Sequence, residues 1–84
     1  MDYQIKIKPA AQKDLDKFPV SEIKKIIPRL MQLSRDPRPI GIQKLTNREG
    51  YRIRSGKYRI LFEINDKLRL VNIFRIKHRK EAYK

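Results

Sequence analysis

The sequence predicts an α+β domain in which a short N-terminal strand and two helices precede an antiparallel β-meander. Apolar residues recur at helical spacing in the first half of the chain, whereas apolar and basic residues alternate in the second half. The 84 residues suffice for a single domain, residues 1–84, with a modest core. We therefore expect both helices to pack on one face of the sheet.

The first half contains one strand pattern and two helix patterns. Residues 3–8 alternate between apolar and polar side chains, as a half-buried strand does. Pro9 suits the first position of a helix that Pro19 ends, and Ser21 is an N-cap candidate for the next helix. The apolar stripes of the two helices are Ala11, Leu15 and Phe18, and then Ile23, Ile26, Ile27, Leu30 and Leu33.

Pro28 lies inside the second helical pattern. An interior proline removes a backbone hydrogen bond and costs about 3 kcal/mol. We therefore expect this helix to be kinked or to be divided near residue 25. Residues 36–41 contain two prolines and a glycine and should form a loop.

Three strands are predicted in the second half, at residues 51–54, 58–64 and 68–77. The third is apolar on both faces, which places it inside the sheet. Asn65 and Asp66 favour a turn between the last two strands, and residues 78–84 form a short basic tail.

The charge balance indicates a polyanionic partner. The chain has 22 Lys and Arg against 9 Asp and Glu, a formal net charge of +13. Nucleic acid, an anionic membrane or an acidic protein would all be attracted, but a soluble domain with a solvated basic face is also possible. The sequence has no basic amphipathic helix and no apolar run of about 20 residues, so a membrane role is disfavoured. The absence of cysteine fits a reducing cytoplasm.

Residues 51–60 predict a hairpin with one cationic face. A two-residue turn at Ser55 and Gly56 would place Arg54 opposite Lys57 and Arg52 opposite Arg59. Tyr51, Ile53, Tyr58 and Ile60 would form the apolar face, and Arg52, Arg54, Lys57 and Arg59 the cationic face.

Like charges directly opposite each other destabilise a sheet, so this face makes sense if an anion binds there. Guanidinium groups hold phosphate oxygens by paired hydrogen bonds. The alternative is a solvent-exposed edge whose cations discourage aggregation.

The tail adds His78, Arg79, Lys80 and Tyr83. If it folds back over the cationic face, it brings phosphate-binding cations, a group that titrates near neutral pH and a ring on which a base can stack. No carboxylate cluster or glycine-rich phosphate loop suggests a metal or cofactor. RNA can be cut without a metal because its own 2′-OH can attack the adjacent phosphate.

Residues 51–64 resemble the central signature of the RelE family of toxins from type II toxin–antitoxin systems, within the RelE/ParE superfamily of bacteria and archaea. Residues 78–83 are similar to the closing motif of that family, and residues 13–19 and 39–45 to its first helix and its approach to the sheet. The resemblance implies a RelE-like fold. It also implies an mRNA endonuclease that acts in the ribosomal A site, beside 16S rRNA, without a metal.

The resemblance further implies roles for individual residues. Arg59 would stabilise the transition-state phosphate, Arg79 would contact the phosphate and help the leaving group, and Tyr83 would stack on or orient a base. Arg52 and Arg54 stand where some family members have lysine, one of which is thought to act as general base. Arginine stays protonated, so here Arg52 and Arg54, with Lys57 and Lys80, would bind phosphate, and His78 or Tyr83 would be the base.

The resemblance also implies an acidic antitoxin that masks the basic face, and it leaves self-association open. Two other functions fit the same residues. One is a ParE-type toxin that targets DNA gyrase, and the other is a non-catalytic relative that binds RNA or protein.

Overall fold

The computed structural model describes residues 2–78. Strand β1 (Gln4–Ile7) leads into helix α1 (Pro9–Asp16) and helix α2 (Val20–Arg35). Four strands follow: β2 (Gln43–Lys44), β3 (Tyr51–Ser55), β4 (Tyr58–Asn65) and β5 (Leu70–His78). The α+β fold class and the order of its elements are those that the sequence predicts, except that β2 was not expected.

The five strands of the described residues form one mixed sheet in the order β1-β5-β4-β3-β2. Strand β1 runs parallel to β5, and the remaining pairs are antiparallel. β5 therefore lies inside the sheet, as its two apolar faces predict. Phe74 has no partner on β4, because Leu61 pairs with Arg75 and Phe62 with Ile73.

Both helices pack on the same face of the sheet. Their buried residues meet the buried residues of β3, β4 and β5 in one core. This core contains Ala11, Leu15, Ile26, Leu30, Leu33, Ile53, Tyr58, Ile60, Phe62, Val71, Ile73 and Ile76. We call the opposite face of the sheet the open face, because no described helix covers it.

Helix α2 is a single helix in spite of Pro28. The division that the sequence suggested near residue 25 is therefore wrong. Burial of Ile26, Leu30 and Leu33 is worth about 5–9 kcal/mol, which exceeds the local cost of about 3 kcal/mol for the proline. Ser21 is not the N-cap either, because the N-cap position is Pro19 and no side chain caps the helix.

The turns follow their local chemistry. Gly56 has φ +59°, which suits the first position of a two-residue hairpin turn. In the β4–β5 turn, Arg69 has φ 51°, and the Asn65 side chain accepts a hydrogen bond from the Leu68 N–H at 3.0 Å. None of the helices in residues 2–78 is long and apolar enough to span a bilayer.

Candidate functional site

The β3–β4 hairpin has a different register from the predicted one. Arg54 lies opposite Arg59, and Ser55 lies opposite Tyr58, so the turn consists of Gly56 and Lys57. The register differs from the prediction by two residues, and such a shift keeps every side chain on its face. The apolar face therefore packs on the helices as expected, but the predicted pairs of Arg54 with Lys57 and of Arg52 with Arg59 are wrong.

Three cations lie side by side on the open face. Arg54 on β3 is opposite Arg59 on β4, and Arg59 is opposite Lys77 on β5. We call Arg54, Arg59 and Lys77 the cation row. Such directly opposed residues have Cβ atoms about 5 Å apart, and like charges at that spacing repel each other. Within residues 2–78, neither Arg54 nor Lys77 forms a salt bridge. The row is therefore a surface that suits a bound anion.

Arg59 is the one charged side chain that is buried among residues 2–78, with 7% of its surface exposed. Burial lowers the local dielectric constant, so a charge there acts more strongly on a neighbouring anion than a charge in water. Arg59 makes contacts of its own and is not an isolated charge. Because Arg59 lies in the middle of the row, it suits stabilisation of charge on a bound anion better than non-specific attraction of an anion from solution.

Arg52 lies beside the row. It faces Leu61 across the β3–β4 ladder, and it is partly buried. Its Nε donates a hydrogen bond to Oε1 of Gln43, which lies opposite it on β2, at 2.8 Å. Lys57 is exposed in the hairpin turn and is not part of a cross-strand pair. The structure therefore brings Arg52 near the row and leaves Lys57 at its rim.

Lys77 and Gln43 were not predicted as site residues. Lys77 joins the row only through the pairing of β4 with β5, a long-range contact that no local pattern encodes. Gln43 lies in a two-residue strand, too short to give a period-two signal.

His78 lies away from the cation row. It pairs with Tyr58, whose ring belongs to the core, and the two rings meet edge to face at 5.3 Å. Neighbouring residues of a strand point to opposite faces, so His78 faces the helix side while Lys77 faces the open side. The structure thus does not bring His78 together with Arg59.

His78 borders a cavity of about 350 Å³ at the junction of the two helices and the end of the sheet. The Phe18 ring packs on Tyr58 in this region, with ring centroids 4.4 Å apart. The other lining residues are Asp14, Lys17, Pro19 and Arg75.

Asp14 ties α1 to β5 beside this cavity. Its carboxylate accepts hydrogen bonds from Arg75 Nε at 2.8 Å, from Arg75 Nη2 at 3.2 Å and from the Ile76 N–H at 2.9 Å. Burial raises the pKa of Asp14, but the hydrogen bonds from Arg75 and Ile76 outweigh it, so the pKa falls below its ordinary value. Asp14 thereby satisfies a backbone N–H of β5 beyond the last residue that pairs with β1.

A second cluster fixes the far end of the sheet. Arg38 binds both carboxylate oxygens of Asp66, at 3.1 and 2.9 Å, and Tyr3 donates its hydroxyl to the same carboxylate at 2.6 Å. The hydrogen bond from Arg38, followed by that from Tyr3, lowers the pKa of Asp66 to about 2. This cluster joins the start of the chain to the loop after α2 and to the β4–β5 turn.

The β2–β3 loop covers the part of the open face next to this end. The Arg48 guanidinium lies 3.8 Å from the centroid of the Phe74 ring and forms a salt bridge with Glu63 at 3.3 Å. Gly50, at φ +132°, lies so close to the sheet that a Cβ atom there would come 2.9 Å from the Phe62 carbonyl oxygen. The β2–β3 loop therefore does not cover the cation row, which lies at the other end of the sheet.

Arg79, Lys80 and Tyr83 lie outside the described residues, so their predicted roles stay predictions. Within residues 2–78, no group of three or more acidic or histidine side chains is arranged to hold a metal ion.

The comparisons with known proteins match toxins and toxin–antitoxin complexes. The family model described as the ParE toxin of the type II toxin–antitoxin system parDE matches residues 5–83. The chain is 30% identical to Toxin RelG of Mycobacterium tuberculosis in an alignment that covers 100% of this chain and 99% of RelG.

Solved structures show the same fold. The M. tuberculosis RelBE2 toxin–antitoxin complex matches with a TM-score of 0.82 at 30% identity, covering 94% of this chain and 100% of that one. The RelE–RelB complex of Pyrococcus horikoshii OT3 matches with a TM-score of 0.79 at 26% identity, covering 94% and 97%. Isolated Escherichia coli RelE, at 19% identity, matches in fold with a TM-score of 0.79 over 96% of this chain and 90% of that one. The chain therefore belongs to the RelE family, within the RelE/ParE superfamily of toxins of type II toxin–antitoxin systems.

Proposed function

We propose that this toxin is a ribosome-dependent endonuclease that cuts mRNA in the A site and so inhibits translation in the cytoplasm. The observation that carries the proposal is the cation row, in which buried Arg59 lies between Arg54 and Lys77 on the open face. A row of cations across adjacent strands suits the phosphates of a single RNA strand better than it suits an isolated small anion.

The proposed reaction uses the RNA as its own nucleophile. The 2′-OH of one nucleotide gives up its proton to a general base as its oxygen attacks the adjacent phosphorus, the bond from phosphorus to the 5′-oxygen breaks, and the 5′-oxygen takes up a proton. The products are a 2′,3′-cyclic phosphate and a 5′-hydroxyl. The protein holds the strand in line and stabilises the negative charge that builds up on the phosphoryl oxygens.

Arg59 is the residue to which we assign charge stabilisation, because its burial strengthens its field at the phosphate. Arg52, Arg54 and Lys57 would bind neighbouring phosphates, and we add Lys77 to this group because it lies opposite Arg59. Arg79, Lys80 and Tyr83 would complete the site from the tail. His78 faces the helix side of the sheet, so it could act as a base only from outside the cation row.

The proposed partners follow from the relatives. The M. tuberculosis and P. horikoshii neighbours are complexes of toxin with antitoxin, so we expect a cognate antitoxin here as well. The net charge of +13 favours an acidic segment in that partner.

The test is induction of the toxin in growing cells, followed by mapping of mRNA 5′ ends and measurement of DNA synthesis. The proposal expects new 5′ ends inside translated codons while DNA synthesis continues at first. The matching family model is described as a ParE toxin, which keeps a gyrase target as the second candidate. Arrest of DNA synthesis with intact mRNA would establish that candidate, and normal growth would point to a non-catalytic binding module.

A further inference from the structure

Gln43 is a polar residue of the open face to which the proposed reaction assigns no role. It lies in β2, and its register partner on β3 is Arg52. Its side-chain oxygen accepts the hydrogen bond from Arg52 Nε at 2.8 Å. This contact fixes one of the five N–H donors of the guanidinium and leaves the four donors on the terminal nitrogens for another partner.

Arg52 is held by an amide oxygen, whereas three other arginines are held by carboxylates. Arg38, Arg48 and Arg75 each form a salt bridge, with Asp66, Glu63 and Asp14 respectively. A carboxylate cancels the charge of its arginine, whereas an amide oxygen orients the guanidinium and leaves its charge in place. The contact with Gln43 therefore holds Arg52 without neutralising it.

Arg29 is also held by an amide, that of Gln32, at 2.6 Å. However, its Nε donates to the backbone carbonyl of Arg54 at 3.2 Å, so Arg29 links α2 to β3. Arg52 instead lies on the open face.

The orientation of Arg52 matters because Arg52 lies beside the cation row. Arg54 is directly opposite Arg59, and Arg52 is two residues before Arg54 on the same strand. Arg52 is thus the diagonal neighbour of Arg59, at a typical Cα separation of about 7–8 Å. One RNA strand that contacts Arg59 can reach Arg52 with a neighbouring phosphate.

We propose that Gln43 is a positioning residue that aims the free fork of Arg52 at an RNA phosphate next to the one held by Arg59. This inference rests on the proposed binding of RNA to the open face. It does not depend on whether the RNA is then cut. Gln43 acts through Arg52 and has no contact of its own with the phosphate.

The experiment is a double-mutant cycle on RNA binding. The full chain and its variants Gln43→Ala, Arg52→Ala and the double variant are titrated into a fluorescein-labelled, 2′-O-methylated single-stranded RNA, which cannot be cut. Binding is followed by fluorescence anisotropy at several salt concentrations. Gln43→Ala should weaken binding roughly five-fold in the parent, about the net contribution of one typical hydrogen bond. It should have no effect in the Arg52→Ala background, because its target is then gone.

Gln43→Glu separates positioning from structure. Glutamate keeps the acceptor for Arg52 Nε, so the unfolding midpoint should stay the same or rise. It also neutralises Arg52, so RNA binding should weaken about as much as in Arg52→Ala. The plot of the logarithm of the association constant against the logarithm of the salt concentration should become shallower by about one unit of slope. The matched control is Gln4→Ala, an exposed glutamine on the opposite edge strand, which should bind RNA as the parent does.

Two results would overturn the inference. One is equal loss of affinity on Gln43→Ala in the parent and in the Arg52→Ala background. The other is undiminished binding by Gln43→Glu. Failure of the proposed function is a separate result, since intact mRNA in induced cells would reject cleavage while the binding cycle still reports on Gln43. If the parent chain does not bind this RNA at all, the inference about Gln43 is wrong, whereas the proposed function is judged by cleavage of mRNA on ribosomes.

Discussion

Arg54 lies directly opposite Arg59 on adjacent antiparallel strands, with both side chains on the face of the sheet that the described helices leave open. A directly opposed pair of like charges weakens the sheet. The structure thus contains a local conflict between stability and charge at the site that we assign to RNA. Such conflicts are expected at functional sites.

Removal of this repulsion should stabilise the fold and weaken RNA binding. We expect Arg54→Gln to raise the free energy of unfolding by about 0.2–1 kcal/mol at low salt, and by less at high salt. Urea unfolding at two salt concentrations measures the effect. Lys57→Gln is the control, since it makes the same change of charge in the turn, outside the cross-strand pairs. Equal stabilisation by both variants would show that net charge, not the pair, is responsible.

The Asp14 carboxylate should make stability depend on acid pH. Its pKa in the folded state is lowered, so its contribution is present above the ordinary carboxyl pKa and is lost as the pH falls through the lower folded value. Asp14→Asn should cost about 1–2 kcal/mol at pH 7, allowing for the partial exposure of Arg75. Thermal unfolding from pH 7 into the acid range checks this. The variant should lose less stability on acidification than the parent, and parallel curves would contradict the account.

The Asp66 carboxylate should titrate well below the ordinary aspartate range. Arg38 and Tyr3 lower the pKa of Asp66 to about 2, and Arg38 is the larger cause. In Arg38→Ala, the carboxyl resonance of Asp66 should therefore titrate at a higher pH, nearer the ordinary value, when followed by NMR. Arg48→Ala removes an arginine that is paired with Glu63 instead and should leave this titration unchanged. An unmoved Asp66 titration in Arg38→Ala would show that the salt bridge does not form in solution.

Pro28 should be a site where stability can be gained. It lies in the interior of α2 and is exposed, so its replacement removes no core contact. Pro28→Ala restores a helix hydrogen-bond donor and should raise the free energy of unfolding by about 1–3 kcal/mol. Chemical denaturation measures this, with Pro19→Ala at the helix boundary as a control that should gain less. No gain in Pro28→Ala would mean that the helix has adapted to the proline.

The sequence predicts which face of the sheet each hairpin residue occupies better than it predicts the cross-strand partner of that residue. The alternation of Tyr51 to Arg54 identifies which side chains are apolar, and a register error of two residues leaves that division intact. The predicted turn is one residue too early because Ser55–Gly56 and Gly56–Lys57 are both acceptable two-residue turns. Only pairing with the rest of the sheet selects between them.

Other features depend on contacts between distant parts of the chain. Lys77 joins Arg59 because β5 pairs with β4, and Gln43 meets Arg52 because a two-residue strand adds to β3. Pro28 carries a local cost in the helix, but burial of one face of α2 outweighs it. Local patterns carry propensity and periodicity, and these outcomes were decided by tertiary packing.

The central claim is cleavage of mRNA on the ribosome with the help of Arg59. The most direct measurement combines purified toxin with ribosomes stalled on a defined mRNA, and identifies the chemistry of the RNA ends. We predict a cut in the A-site codon that leaves a 2′,3′-cyclic phosphate and a 5′-hydroxyl, with no cut in free mRNA. Arg59→Met, which keeps a long side chain but removes the charge, should slow the cut by about 100-fold or more. Intact mRNA on ribosomes, with toxin that arrests growth in cells, would contradict the account.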